Sequence, residues 1–259
     1  MTNPFLDIYL AMKRLPLWGR LAYIDLQQTY KRSIIGLAWI VFAFSLFIAV
    51  KVLVFGSFAP GDPRLFSAWL TVGFWVYTYI SFNILEGLSS FVSARSWILG
   101  TNLPLVGFAL QAMARVLLRF VLHSFVVIAI LFYLKWTIAP VSAWAILGFL
   151  CLMLNALWVQ IALGIICSRN RDIGYLIQSI MNIMFFITPI LYFDKQLGDK
   201  AWLLQYNPFT HYLAIVRDPI VMYTVPVNSW VIVGIITVVG SISALVLLAL
   251  YRRKVAYWV

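Results

Sequence analysis

Charge is scarce in this 259-residue chain: 10% of its residues are charged, 64% are hydrophobic and the mean hydropathy is +0.97. A soluble domain is ordinarily about 45–50% apolar and about a quarter charged. A water-facing surface cannot be built from so few charges, which excludes a soluble enzyme or a disordered chain. The short alternating segments of a transmembrane β-barrel are missing too, because the apolar runs extend over about 18 residues or more. Acidic residues are the rarest charges, 8 Asp+Glu against 19 Lys+Arg, and the net charge is +11. In a soluble chain that excess would suggest nucleic acid. In a membrane chain it reflects cationic loops facing the cytoplasm, so no nucleic-acid partner is expected.

Catalytic and metal-binding signatures are absent as well. There is no Gly-x-x-x-x-Gly-Lys-[Ser/Thr] phosphate loop, no His-Glu-x-x-His, no paired Cys-x-x-Cys, no EF-hand loop and no Gly-x-Ser-x-Gly elbow. The two histidines, His123 and His211, are far apart, so neither metal nor cofactor is expected in the chain. The two cysteines, Cys151 and Cys167, share one apolar run, and a helix would hold them ~24 Å apart, too far to bridge. Lys13 and Arg14 interrupt the start before a signal-peptide core has formed.

What is present is a series of membrane-length apolar runs. At about 20 residues per span, the chain has room for roughly six to eight helices. Six are read, over about 34–58, 65–92, 116–134, 143–167, 174–193 and 229–251. A semi-polar helix, Leu105–Arg115, precedes the third, and a mixed segment with three prolines, Asp194–Asn228, separates the fifth from the sixth. Residues 1–33 carry an amphipathic stretch, with Leu17, Trp18, Leu21 and Ile24 opposite Arg20, Gln27 and Lys31. That pattern suits a helix lying along the inner membrane surface, either as an anchor or as a docking surface for a cytoplasmic partner. The fold class is thus an all-α integral membrane protein with a single transmembrane domain over 1–259.

Orientation follows from the basic residues. One alternating set of segments holds Lys13, Arg14, Arg20, Lys31, Arg32, Arg95, Arg115, Arg119, Arg169, Arg171, Arg252, Arg253 and Lys254. The other set holds Arg64, Lys135, Lys195, Lys200 and Arg217. Thirteen against five, with Lys51 inside a span, predicts that both termini are cytoplasmic.

Two side-chain rows stand out. Phe44, Phe47, Lys51, Phe55 and Phe58 share one face of the first span. Packing or lipid contact would explain the rings, with Lys51 reaching toward the outer headgroups. A lysine inside a span costs ~2.5–3.5 kcal/mol on insertion scales and usually faces an interior or a watery cavity, which turns the face toward a conduit. Aromatic walls suit sugars, whose C–H surfaces meet rings while their hydroxyls stay wet. The second row is Gln111, Arg115, Arg119 and His123, recurring every four residues at the inner end of the third span. Positive-inside anchoring would explain part of it, but Arg119 and His123 enter the apolar core. Glu86 could pair with one arginine, and the remaining charge could meet a pyrophosphate through the guanidinium fork. In the fifth span Gln178, Asn182, Phe185 and Pro189 share a face; polar groups in such a place more often bridge helices than meet substrate, and Pro189 is expected to bend the span. His211 and Arg217 read as structural.

Thr29-Tyr30-Lys31-Arg32-Ser33-Ile34-Ile35-Gly36-Leu37-Ala38-Trp39 resembles the tyrosine–basic–Ser–x–x–Gly–x–x–Trp opening of the first span in polysaccharide-exporting ABC permeases. Ser93 to Pro104 sits where that family has a cytoplasmic loop ending in proline. Arg171-Asp172 followed by Thr188-Pro189-Ile190-Leu191-Tyr192 resembles its fifth span, and Asn207-Pro208-Phe209 with Arg217 its external segment. One departure is Phe44, which stands where relatives commonly have proline.

The resemblance implies the transmembrane subunit of an ABC-2-type exporter of the bacterial inner membrane. Two copies would assemble with two ATP-binding cassette subunits, and ATP and Mg would bind only in that partner. The substrate would be a lipid-linked polysaccharide, O-antigen first and capsule or teichoic acid as alternatives. Coupling to the ATPase would run through Arg95, Trp97 and Leu99 in the Ser93–Pro104 loop and through Arg20 in the amphipathic helix. Arg115 and Arg119 would take the substrate headgroup, and the Phe44–Phe58 face with Lys51 would line the glycan path. Short re-entrant helices would lie between spans five and six. A membrane glycosyl- or acyl-transferase is the alternative; it needs a cytosolic carboxylate or nucleophile–base pair, for which Asp7, Asp25, Asp172 and Glu86 are the acids at hand. A channel would need a ring of charge or a carbonyl filter, and neither is written in the sequence.

Overall fold

The computed structural model describes residues 4–56, 61–200 and 202–259, apart from the side chains of Lys195, Leu197 and Asp199. Regular structure among them is helical throughout: α1 (Pro4–Lys13), α2 (Leu15–Tyr30), α3 (Ala38–Gly56), α4 (Pro63–Ser93), α5 (Arg95–Gly100), α6 (Leu105–Tyr133), α7 (Trp144–Arg169), α8 (Arg171–Ile187), α9 (Trp202–Tyr206), α10 (Pro208–Val221) and α11 (Val227–Trp258), with 3-10 turns at Pro140–Ala143 and Asp194–Lys200. Among the described residues five helices, α3, α4, α6, α7 with its preceding turn, and α11, are long and apolar enough to cross a bilayer. The expectation of an all-α membrane fold is met.

Local chemistry explains where several helices begin. Asp62 accepts a hydrogen bond from the Arg64 N–H at 2.8 Å and Pro63 takes the first helical position of α4. Asn207 does the same for α10, accepting from the Phe209 N–H at 3.0 Å with Pro208 next in line. Between α2 and α3, Gly36 adopts a left-handed φ of +56°, so the Ser-x-x-Gly-x-x-Trp motif is a turn between helices. α3 then runs unbroken through Phe44, the position of the missing proline.

Three expectations need correction. The amphipathic segment is two helices, because Pro16 starts a new one at Leu15. The semi-polar helix and the third span form one 29-residue helix, α6. Its polar positions do not break it, because Asp25 of α2 and Glu86 of α4 meet them with carboxylates. At 1.5 Å per residue it is ~43 Å long, longer than the ~30 Å hydrocarbon layer, and its first turns project into α1 and α2. The fifth apolar run ends as a helix at Ile187, because Thr188 is extended ahead of Pro189. Pro189 therefore stops the helix, where a bend was expected. With 17 residues, α8 spans ~25 Å and falls short of the other five.

α4 is the central element, packed by α6 and α7. Small residues bring helices together: a Cβ on Gly164 would meet Ser90 Oγ at 2.7 Å. α10 is buried beside α4, α7 and α11, with Leu213, Ile215, Val216 and Arg217 inside. Asn155 ties three helices together, donating to Thr237 Oγ1 at 2.7 Å and accepting from the Tyr212 hydroxyl at 2.7 Å. Because α4 and α6 are joined by short α5, and α7 runs into α8, the ends carrying Arg95, Arg169 and Arg252 lie together on one side of the bundle.

Candidate functional site

The polar stripe of α6 is met by acids from two other helices. α2 lies along α6 through Trp18, Ala22 and Leu26, one turn apart and all buried, which brings Asp25 over Arg115. Arg115 Nη1 lies 2.8 Å from Asp25 Oδ2, and its Nη2 lies 2.8 Å from Glu86 Oε2. Arg119 Nη1 reaches Glu86 Oε1 at 3.0 Å, and Gln111 donates to Asp25 at 2.7 Å. Two arginines thus face two carboxylates. Arg115 is held from both sides, whereas Arg119 shares a single carboxylate and its buried Nε has no hydrogen-bond partner among the described residues. Sequence reasoning foresaw Glu86 as a partner; Asp25, 90 residues from Arg115, it did not assign.

Above this cluster a cavity of about 560 Å³ opens between α3, α4 and α6. Trp39, Phe44, Phe47, Phe74 and Phe82 supply rings, and Ser81, Arg119 and His123 supply polar groups. Two of the sequence-predicted rows therefore converge, since Phe44 and Phe47 share this space with Arg119. His123 is 5% exposed, stacks on Phe44 at 4.1 Å between centroids, and makes no side-chain hydrogen bond among the described residues.

The phenylalanine face does not act as one surface. The packed edge of α3 is Ile40, Phe44 and Ile48, so Phe44 is 4% exposed while Phe47, on the next strip of the helix, is 59% exposed. Lys51 is half-buried, with Nζ 3.7 Å from the Phe74 ring centroid and 4.1 Å from that of Phe185. Phe55 is exposed, and Phe58 lies outside the described residues. On α8, Tyr175, Gln178 and Asn182 are exposed, and the two amides make no hydrogen bond within the described chain, so they do not bridge its helices.

At the basic end, Arg20 on α2 and Arg95, Trp97 and Leu99 on α5 are all exposed. α5 buries none of its six residues. Beside it stands a residue the sequence reading did not place in the architecture. Asp7 of α1 is fully buried and accepts from the Val106 N–H at 2.9 Å and the Leu105 N–H at 3.3 Å. Arg252 of α11 pairs with the same carboxylate at 2.5 Å. Pro104, the N-cap of α6, offers no side-chain acceptor, so this helix start is capped from 98 residues away. The signal that could have found it is a lone acid in an apolar opening, together with a helix start that has no cap of its own. Arg217, expected to be structural, is fully buried; it donates to the Pro189 carbonyl at 2.6 Å and lies over the Trp69 ring at 3.2 Å.

No protein-family model matches the chain. It is 23% identical over 234 residues to the O-antigen export system permease protein RfbA of Klebsiella pneumoniae, covering 88% of each chain. A second protein of that name and organism is 24% identical over 199 residues, 75% of this chain and 76% of that one. Over most of its length, and with the ordered motifs from Tyr30 to Arg217, the chain is thus similar to permeases named for O-antigen export.

Proposed function

We propose that this chain is the transmembrane permease subunit of an ABC exporter that moves lipid-linked polysaccharide, most of all O-antigen, across the cytoplasmic membrane. The observation that carries the reading is the cavity between α3, α4 and α6, aromatic along its walls and cationic at one end. It occurs in a chain similar to proteins named for O-antigen export. Such a space fits a molecule that is sugar along its length and phosphate at its root. Arg119 is the group that meets the phosphate, since one carboxylate leaves part of its fork open. Arg115, pinned by Asp25 and Glu86, sets the position of that pair. Phe47 and the Gln178–Asn182 strip of α8 face the glycan, rings against C–H surfaces and amides against hydroxyls.

Two copies work together, and the exposed faces of α3 and α8 meet the second copy and the path it encloses. α8 serves as the fifth of six spans, and α9 with α10 forms the re-entrant segment on the outer side. Both termini are cytoplasmic. ATP and Mg bind in two separate ATPase subunits, which push on Arg95, Trp97 and Leu99 of α5 and on Arg20 of α2. The ion pairs of Asp7, Asp25 and Glu86 favour this reading over the transferase, whose chemistry needs a free acid pair.

Deletion of the chain should trap lipid-linked glycan inside the cell. Arg119→Ala should reproduce that defect at full subunit abundance, and Arg119→Lys should correct it only in part. Cysteines at Trp97 or Leu99 should cross-link to the ATPase. Normal export from the deletion strain rules the proposal out.

A further inference from the structure

Among the described residues, nothing balances the charge at Lys51. Among the described residues no carboxylate lies within ion-pair reach of it, whereas Arg115, Arg119, Arg217 and Arg252 each have at least one. Nor does the side chain reach for the near end of its own helix. Lys51 lies five residues before Gly56, the end of α3. Its ammonium instead turns onto Phe74, which is eleven residues into α4 and so ~16 Å from that helix's corresponding end. A lysine seeking outer headgroups would extend the other way.

Three rings surround the ammonium: Phe74 at 3.7 Å, Phe185 at 4.1 Å and Phe47 at 5.8 Å. Ring faces attract a cation without neutralising it. They leave its three N–H donors short of acceptors among the described residues. Two of the three rings, Phe47 and Phe74, are also walls of the large cavity, so the cation stands at that cavity's rim. At the opposite end, Arg115 and Arg119 are already faced by Asp25 and Glu86. Among the described residues, Lys51 is therefore the cation at this cavity without a carboxylate partner.

We propose that Lys51 is an anion-binding point on the transport path, occupied by a carboxylate or phosphate of the passing glycan. The cage of rings holds the ammonium in place between substrates and gives way to the anion as it enters from the cavity. This inference rests on the permease reading and deepens it, because it assigns a negatively charged group to the cargo at the level of Phe74. The same chemistry could come from acidic sugars in the repeat or from the pyrophosphate at the lipid linkage.

The test uses the full-length subunit in lipid nanodiscs with three probes: a glucuronate-containing tetrasaccharide, its carboxyl-reduced neutral counterpart and inorganic pyrophosphate. Lys51→Met should weaken binding of the anionic probe by roughly tenfold or more, Lys51→Arg should retain it, and the neutral tetrasaccharide should not distinguish the variants. Loss confined to the uronate probe assigns the anion to the sugar, and loss confined to pyrophosphate assigns it to the linkage. Equal binding of all three probes by wild type and Lys51→Met overturns the proposal, as does a wild-type subunit that binds neither anion. If Lys51→Met does not accumulate, Lys51→Gln is read in the same way. Glycan export in the deletion strain is scored separately, so a failed permease reading and a failed anion site give different results.

Discussion

Replacing Asp7 with Ala removes one side chain and leaves three groups without their acceptor. The Val106 N–H loses a charge-assisted hydrogen bond of 2.9 Å, a kind worth about 1.5–3 kcal/mol. The Leu105 contact, at 3.3 Å, is long and contributes less. Arg252 is partly exposed on its side chain and can rehydrate, so its share is about 1 kcal/mol or below. The sum is a loss of roughly 3–4 kcal/mol, larger than the usual cost of an N-cap because the site is dry. Asp7→Asn keeps an acceptor oxygen but drops the charge, and should lose about half as much. The exchange Asp7→Arg with Arg252→Asp restores an ion pair yet sets a cation at the positive end of α6, so it should not recover stability. Thermal unfolding of the purified subunit in detergent, with amide exchange read at Leu105 and Val106, measures these effects. An Asp7→Ala protein that melts with the wild type and keeps both amides protected would refute the capping argument, and full rescue by the charge exchange would show that only the ion pair matters.

Substitutions at four other positions probe separate parts of the fold. A methyl group on Gly107 would fall inside the indole of Trp18; Gly107→Ala should loosen α2 from α6 and expose α2 to protease, and normal protection would contradict the packing. Phe44→Ala should destabilise by ~3–5 kcal/mol and lower subunit abundance, because Phe44 is buried and stacked between His123 and Phe74. Phe47→Ala should leave abundance unchanged and reduce export, and equal loss of abundance in both would merge the two roles. Arg217→Met strips the Pro189 carbonyl and Asp218 of their partner and should cost roughly 3–5 kcal/mol in the same melting assay; Arg217→Lys should recover part of that, since an ammonium cannot reproduce a planar stack on Trp69.

Much of this molecule is legible in its sequence. A chain with 10% charged residues and long apolar runs has to satisfy its backbone inside helices. Asp62-Pro63 and Asn207-Pro208 could have been read as helix starts, because caps act over two or three residues. The row Gln111, Arg115, Arg119, His123 could be placed on one face because helical periodicity is local. Three matters were settled only by the packing of distant segments. Asp25 and Glu86 lie 90 and 29 residues from the Arg115 they neutralise, and Asp7 lies 98 residues from the helix it caps, so no local pattern could pair them. Spacing alone put Phe44 and Phe47 on one face, yet neighbouring α4 and α6 bury the first and leave the second open. Pro189 could either bend or end its helix by local rules; here the chain stops at Ile187, and the carbonyl of Pro189 is taken by Arg217 from α10. Periodicity and capping depend on atoms within about a turn of each other. Which charge meets which, and which ring faces open space, depends on helices brought side by side, and that is decided only in the folded chain.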